Sequence, residues 1–229
     1  MAATKTLRMR SVGKAFRGPD GPVVVLKNLN LELEPGEVLL VTGPPGSGKS
    51  TLLSIGASLL RPTTGEVFVQ SHRVSHLPEH RLASIRQQHV GFLFQDFQLV
   101  RGVSAVDNVK ITLVPLGLMP TEAHRRALAA LDAVDMGHRA SQVVNYLSGG
   151  EQQRVAFARS LVHNPTLVFA DEPTASVDQN TGNKMIQLLV EHKSRGATLI
   201  IASHDPVMIN APFVDRRLSF ETIGLLVGP

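Results

Sequence analysis

Residues Gly43 to Ser50 read GPPGSGKS, and they restrict the fold of this chain more than any other stretch. The segment fits a glycine, four variable residues and then Gly-Lys-Ser. It follows the apolar run GEVLLVTG and precedes the helical pattern TLLSIGASLL. A continuous apolar run suits a strand buried on both faces. Glycines let backbone N–H groups curl around an anion, and the start of a helix adds roughly half a positive charge. Gly43, Pro44, Pro45, Gly46, Ser47, Gly48, Lys49, Ser50 and Thr51 therefore form a candidate phosphate cradle. In such a loop the lysine reaches the β- and γ-phosphates of a nucleotide, and the Ser50 hydroxyl ligates Mg²⁺. A functionless glycine-rich turn is the competing reading, and the strand before it and helix after it count against that.

Three further apolar runs follow: VGFLFQ (Val90 to Gln95), TLVFADE (Thr166 to Glu172) and TLIIASH (Thr198 to His204). Helical patterns separate them. One has Thr121 as its N-cap candidate, holds Leu128, Leu131 and Val134 on one face, and ends before Gly137. Another places Met185, Leu188, Leu189 and His192 on one stripe and stops at Gly196. Buried strands alternating with helices imply an α/β fold with a parallel sheet. The N-terminal third reads instead as short alternating strands, and residues 96–162 read as a mainly helical insertion. The strand ending in Asp171 and Glu172 puts two carboxylates at the edge where doubly wound sheets gather ligands. Asp171 suits a water-bridged Mg²⁺, and Glu172 suits a base that polarises an attacking water.

Composition sets outer limits. At 229 residues the chain is near the ceiling for one core, and 43% hydrophobic with 18% charged residues is globular rather than disordered. No apolar run reaches the roughly eighteen residues that span a bilayer, and no signal peptide is read at the start, so a membrane role needs a partner. With no cysteine, disulfide and thiolate chemistry are excluded. A net charge of +4 is small enough to be an ordinary solvated surface.

A second helix start stands about a hundred residues further on, in YLSGGEQQRVAFAR. Ser148 and Glu151 have capping-box spacing, and Val155, Ala158, Leu161 and Val162 continue the helix. Capping explains the serine and the glutamate but not Gly149 and Gly150, which would let a phosphate approach the backbone. The loop at Lys49 already serves one side of a triphosphate. The second start therefore points to the nucleotide of another copy.

LSGGEQQRVAFARSL resembles the signature motif of ATP-binding-cassette ATPases, and the other motifs stand in that family's order over about Thr6 to Leu218. Gln95 in FLFQDFQL is similar to its glutamine loop, Asp178 in ASVDQ to its D-loop and His204 in IIASHD to its switch histidine. The resemblance implies an α/β P-loop NTPase fold: a RecA-like parallel core with an antiparallel β-subdomain (residues 1–95 and 163–229) and an inserted α-helical subdomain (96–162). It implies two cassettes paired head to tail. Ser148, Gly149 and Gly150, with Glu151, would then cap the γ-phosphate bound at Lys49 of the other copy. Gln95 would contact Mg²⁺ and the lytic water, His204 would hold the γ-phosphate, and Asp178 would link the two sites. Phe16 stands where an aromatic stacks on adenine. Val177 replaces a common leucine. The tail lacks the family's usual final hairpin and any regulatory domain.

Within the family the chain is most similar to the lipoprotein-releasing and macrolide-exporting cassettes. That resemblance implies a membrane permease partner and a place at the cytoplasmic face of the inner membrane. Phe97, Leu99, Val100 and Val103 are candidates for a groove that takes a short helix of that partner, or else for packing of the insertion itself. Beside a cell-division signalling cassette, the main alternative is a soluble cassette acting on DNA or ribosomes. It fits less well because no coiled coil and no second cassette are present, so no direct nucleic-acid contact is expected. A nucleotide clamp without turnover would not need Glu172 and His204. The four-residue spacing of His72, His76 and His80 suggests metal ligands on a helix, but Pro78 interrupts it.

Overall fold

The structure, a computed structural model, describes residues 5–19 and 21–220. Alternating burial builds the first sheet. β1 (Leu7–Gly18) buries Leu7, Met9 and Val12, and β2 (Gly21–Leu33) buries Leu26, Leu29, Leu31 and Leu33. The alternation is broken once in each strand. Ser11 (φ 49°) and Asn28 (φ 51°) take left-handed backbone where the register of the pair shifts, which returns the apolar side chains to one face.

β3 (Val38–Thr42) is buried almost throughout, as its unbroken apolar pattern requires. α1 (Lys49–Gly56) follows it directly. β4 (Thr64–Val69) and the two-residue β5 (His72–Arg73) complete an antiparallel sheet in the order β2-β1-β4-β5. α2 (Glu79–His89) then leads into β6 (Val90–Leu93). β5 and α2 are not legible in the residue pattern: α2 is mostly polar and buries only Leu82. His72, His76 and His80 fall on β5, the following turn and α2, so they share no helical face.

Between β6 and β7 the described chain is helical. It contains α3 (Ala105–Lys110), α4 (Pro120–Asp132) and α5 (Gly149–Leu161), with single 3₁₀ turns between them. Thr121 does not cap α4. Pro120 occupies the first helical position and Met119 precedes it with no side-chain cap. Proline lacks the N–H that a cap would serve, and its fixed φ starts the helix instead. β7 (Leu167–Asp171), α6 (Gln179–Ser194), β8 (Thr198–Ala202), α7 (Pro206–Ile209) and β9 (Arg216–Ser219) finish the chain. Gly196, at φ +90°, ends α6 where the sequence placed its stop. β9 was not expected. The expectation for the last dozen residues concerns a segment of which 221–229 lie outside the described residues.

The second sheet is parallel, in the order β6-β7-β8-β3-β9. Its two faces carry separate cores. Leu39, Val41, Leu167, Phe169, Ile200 and Ala202 pack with α1 and the antiparallel sheet. Val38, Leu40, Val168, Ala170, Leu199 and Ile201 pack with α5, α6 and the helical insertion. Period-two alternation sends successive residues to opposite faces, so the parallel strands are apolar throughout. Phe97 and Leu99 are half-buried against the second of these cores and also line a surface cavity with Asp96, Gln98 and Arg101; Val100 is 45% exposed.

Gly91 in β6 marks the closest contact between sheet and α5. A Cβ there would lie 2.2 Å from the Ser160 carbonyl and 2.8 Å from the Pro165 ring. Gly91→Ala is expected to lower stability by about 1–3 kcal/mol, through overpacking against backbone that cannot yield. Urea denaturation followed by circular dichroism measures this, and an unchanged midpoint contradicts the packing described.

Candidate active site

Parallel strands deliver their C-terminal ends to one edge, and these ends, with Ser219 of β9 among them, meet around a cavity of about 670 Å³. From the β3–α1 turn come Gly43, Pro44, Pro45, Gly46, Gly48, Lys49, Ser50 and Thr51. Gln95 arrives just past β6, Asp171 and Glu172 end β7, and Ser203 with His204 follow β8. The expected nucleotide, glutamine-loop, carboxylate and histidine positions are thereby brought together.

The cradle has the shape its glycines were read to give. Gly43, Gly46 and Gly48 all have positive φ, at 142°, 77° and 101°. Gly48 precedes α1 without a side-chain cap, so the first N–H groups of the helix face the loop rather than a serine or aspartate. Lys49 folds back, its Nζ donating to the carbonyls of Gly43 at 2.7 Å and Pro44 at 3.0 Å. The Ser47 hydroxyl is buried with no hydrogen-bond partner among the described residues. An unpaired buried hydroxyl, an uncapped helix start and an ammonium among carbonyls all suit a polyanion.

Asp171 is 5% exposed. Burial pushes its carboxyl above the ordinary aspartate range, the charge of Glu172 adds to this, and Ser50 and Lys49 partly oppose it. A buried carboxylate beside a hydroxyl fits a hard divalent cation, which takes oxygen ligands. Among the described residues there is no cluster of three or more His, Cys, Asp or Glu able to hold a metal by itself.

Glu172 is 8% exposed and held in left-handed backbone, φ 51°. Its N–H donates to the Ala202 carbonyl at 2.9 Å. Ser203 Oγ donates to Oε2 at 3.1 Å, and His204 Nδ1 lies 2.7 Å from Oε1. Nδ1 is thus the ring nitrogen that faces the carboxylate. The imidazole itself is largely exposed at the mouth of the cavity.

The remaining expected residues lie elsewhere. Ser148 caps α5 in a full capping box: its Oγ accepts from Glu151 N, and Ser148 N donates to Glu151 Oε2 at 2.8 Å. Ser148 and Gly149 are exposed, Gly150 is half-buried, and none of the three lines the cavity. Asp178 caps α6, with one oxygen accepting from Thr181 N at 3.0 Å and the other from Thr181 Oγ1 at 2.7 Å. Phe16 is 40% exposed on β1 opposite Val23, outside the cavity lining, with Lys14 Nζ 4.9 Å from the ring centre.

A model of the family described as ABC transporter matches residues 26–175. The chain belongs to the ABC transporter family. It is the ATPase cassette of that family, with the α/β architecture described above. The lipoprotein-releasing system ATP-binding protein LolD of Bacteroides fragilis is 38% identical over 93% of this chain and 96% of that protein. The macrolide export ATP-binding/permease protein MacB of Agrobacterium fabrum is 37% identical over 87% of this chain, which spans 31% of the length of that relative. Among solved structures, the post-hydrolysis dimer of the cassette MJ0796, bound to ADP and Pi, matches with a TM-score of 0.89. It is 36% identical and covers 93% of both chains; MJ0796 is from Methanocaldococcus jannaschii.

Three residues of the cassette escaped sequence reasoning. Ser203 holds Glu172, as above. Arg159, 9% exposed, donates to the carbonyls of Gln98 at 2.7 Å and Phe97 at 2.6 Å, two residues with positive φ just beyond Gln95. Gln153 bonds to the backbone around Glu172. A glutamine one turn into a helix whose apolar run begins at Val155 was the available signal for Gln153.

The raised proton affinity of Asp171 has a signed consequence. The folded state binds this proton more tightly than the unfolded chain, so stability falls as pH rises from the ordinary value of 3.8 through the folded pKa. Asp171→Asn is expected to raise the thermal midpoint of the nucleotide-free protein at about pH 7, an advantage that shrinks on acidification toward about pH 4. Thermal unfolding across pH tests this; a destabilised variant at neutral pH is the contrary result.

Proposed function

We propose that two copies of this cassette close head to tail around ATP and Mg²⁺, hydrolyse ATP, and pass the motion to a separate membrane permease subunit. The observation that carries this reading is the position of the second anion-type helix start. Ser148 to Gly150 stand away from the cavity that contains Lys49. A Cβ on Gly149 would meet nothing within 4 Å, so its own chain gives no steric reason for that glycine. A partner's phosphate lying against the backbone does.

In this reading Lys49 and the N–H groups at the start of α1 bind the phosphates of ATP from one side. Ser148, Gly149 and Gly150 of the second copy approach from the other, with Glu151 keeping the serine in place. Ser50, Gln95 and Asp171 would hold Mg²⁺, which when bound would supply neutralisation of charge on the phosphates. His204 turns from Glu172 to the γ-phosphate, which frees Oε1. Glu172 then takes a proton as water attacks the γ-phosphorus, the bond to the bridging oxygen breaks, and ADP and phosphate form. Phe16 offers its exposed ring to the adenine, and Asp178 of each chain faces the other across the closed pair. Exclusion of water strengthens all of these contacts.

The partner reading draws on relatives and on a groove. The Agrobacterium relative is named an ATP-binding/permease protein, while this chain spans under a third of it. Among the described residues no helix is long and apolar enough to cross a membrane. A groove of about 360 Å³ between the parallel sheet and the helical insertion is lined by Leu59, Phe92, Phe94, Ile111 and Pro115, with Gln98 and Arg159 beside them. A short helix of the permease seated there would touch the segment that follows Gln95. In this reading the cassette works at the cytoplasmic face of the inner membrane beside that permease.

Glu172→Gln is expected to lower kcat by about 10²–10⁴-fold and to accumulate an ATP-bound dimer by size exclusion. Lys49→Ala should weaken ATP binding by about 10–100-fold, the loss of one charge-assisted contact. Ser148→Arg should leave ATP binding by the monomer intact while abolishing the closed dimer. Normal hydrolysis by the Ser148→Arg protein refutes the shared site.

A further inference from the structure

We propose that Gln153 is a positioning residue for hydrolysis, acting through the backbone of Glu172; this rests on the reading of Glu172 as the base. Its side-chain amide is 2% exposed and bonded on both ends. Nε2 donates to the carbonyls of Glu172 at 3.1 Å and Pro173 at 2.7 Å, and Oε1 accepts from Ser176 N at 3.0 Å. Both amide hydrogens and the carbonyl oxygen are therefore used on one turn of backbone, residues 172–176.

That turn needs holding. A non-glycine residue in left-handed backbone persists only where its surroundings fix it, at a cost of order 1–3 kcal/mol. Glu172 is at φ 51°. On its N-terminal side β8 fixes the peptide through the Ala202 carbonyl. On its C-terminal side the corresponding anchor is Gln153. Without it, the Pro173 carbonyl loses the only side-chain donor found for it among the described residues, and the Glu172 carbonyl keeps only a 3.3 Å bond from Ala175 N. The expected response is a shift of this turn, and with it of the carboxylate that must meet the water. Alignment of a base to well under an ångström is what a general-base step depends on.

The side-chain type follows from the same geometry. Two carbonyls require two donors and one N–H requires an acceptor, and among side chains of this length only a neutral amide supplies them together. A glutamate there would set a carboxylate against two carbonyl oxygens. Its proton affinity would rise through burial and the loss of donors, and protonation would restore one donor.

The test uses full-length protein with ATPase turnover, ATP-dependent dimer formation and thermal unfolding measured together. Gln153→Ala is expected to lower kcat at least tenfold, with KM for ATP within about threefold of the parent and the closed dimer retained. In a Glu172→Gln background the same change should produce no further loss, since both act on one proton transfer. Gln153→Glu should regain turnover relative to the parent as pH falls from about 8 to about 6, which a pure packing role would not produce. Losses that multiply in the double variant overturn the proposal. So do an unchanged kcat in Gln153→Ala, or Gln153→Glu turnover that tracks the parent at every pH. A Glu172→Gln protein with full turnover instead removes the reading of Glu172 beneath it.

Discussion

A triphosphate can leave water only if donors meet it on every side, because each buried charge without a partner carries a penalty of several kcal/mol. This cassette supplies donors on one side. The β3–α1 turn offers N–H groups, an ammonium and an uncapped helix start, all directed at one wall of an open cavity. The other set of donors of similar kind, at Ser148 to Gly150, belongs to a helix start outside that cavity. Much of the remaining architecture follows from this division.

The parallel sheet is the device that gathers the first half-site. Because its strands run the same way and are buried on both faces, Lys49, Gln95, Asp171, Glu172 and His204 emerge at one edge though they are spread over more than 150 residues. α5 is the element that would relate the two proposed half-sites within one chain. It begins at the second anion-type site, holds the turn after Glu172 through Gln153, and holds the segment after Gln95 through Arg159. Gly150 adds a steric link, since a Cβ there would lie 3.0 Å from the Ser176 carbonyl. A rigid helix buried along most of its length can carry such constraints because packed cores do not deform continuously.

Features with a local physical cause were legible in the residues. The apolar runs of β3, β7 and β8, the cap at Ser148 and the stop at Gly196 each follow from burial, hydrogen-bond supply or backbone freedom at a few adjacent positions. Elements whose cause is tertiary were not. β5 and β9 are short strands recruited by a neighbour, and α2 is a polar helix that buries a single leucine. The start of α4 was misplaced because proline chemistry outranked a nearby threonine. Phe97 and Leu99, apolar residues in a loop, are half-buried against the core while still lining a surface cavity, a double placement that residue type alone does not reveal. At the site, residue types pointed to the groups proposed to do chemistry, whereas Ser203 and Gln153, which bond to Glu172 and the turn after it, were hidden because their partners are distant in sequence.

The proposed division of the site between two molecules has one direct measurable consequence. Turnover per molecule should depend on protein concentration, falling toward zero on dilution below the association threshold and recovering when the protein is concentrated again at saturating ATP. Turnover per molecule that stays constant on dilution into a regime shown by mass photometry to hold only monomers would contradict it.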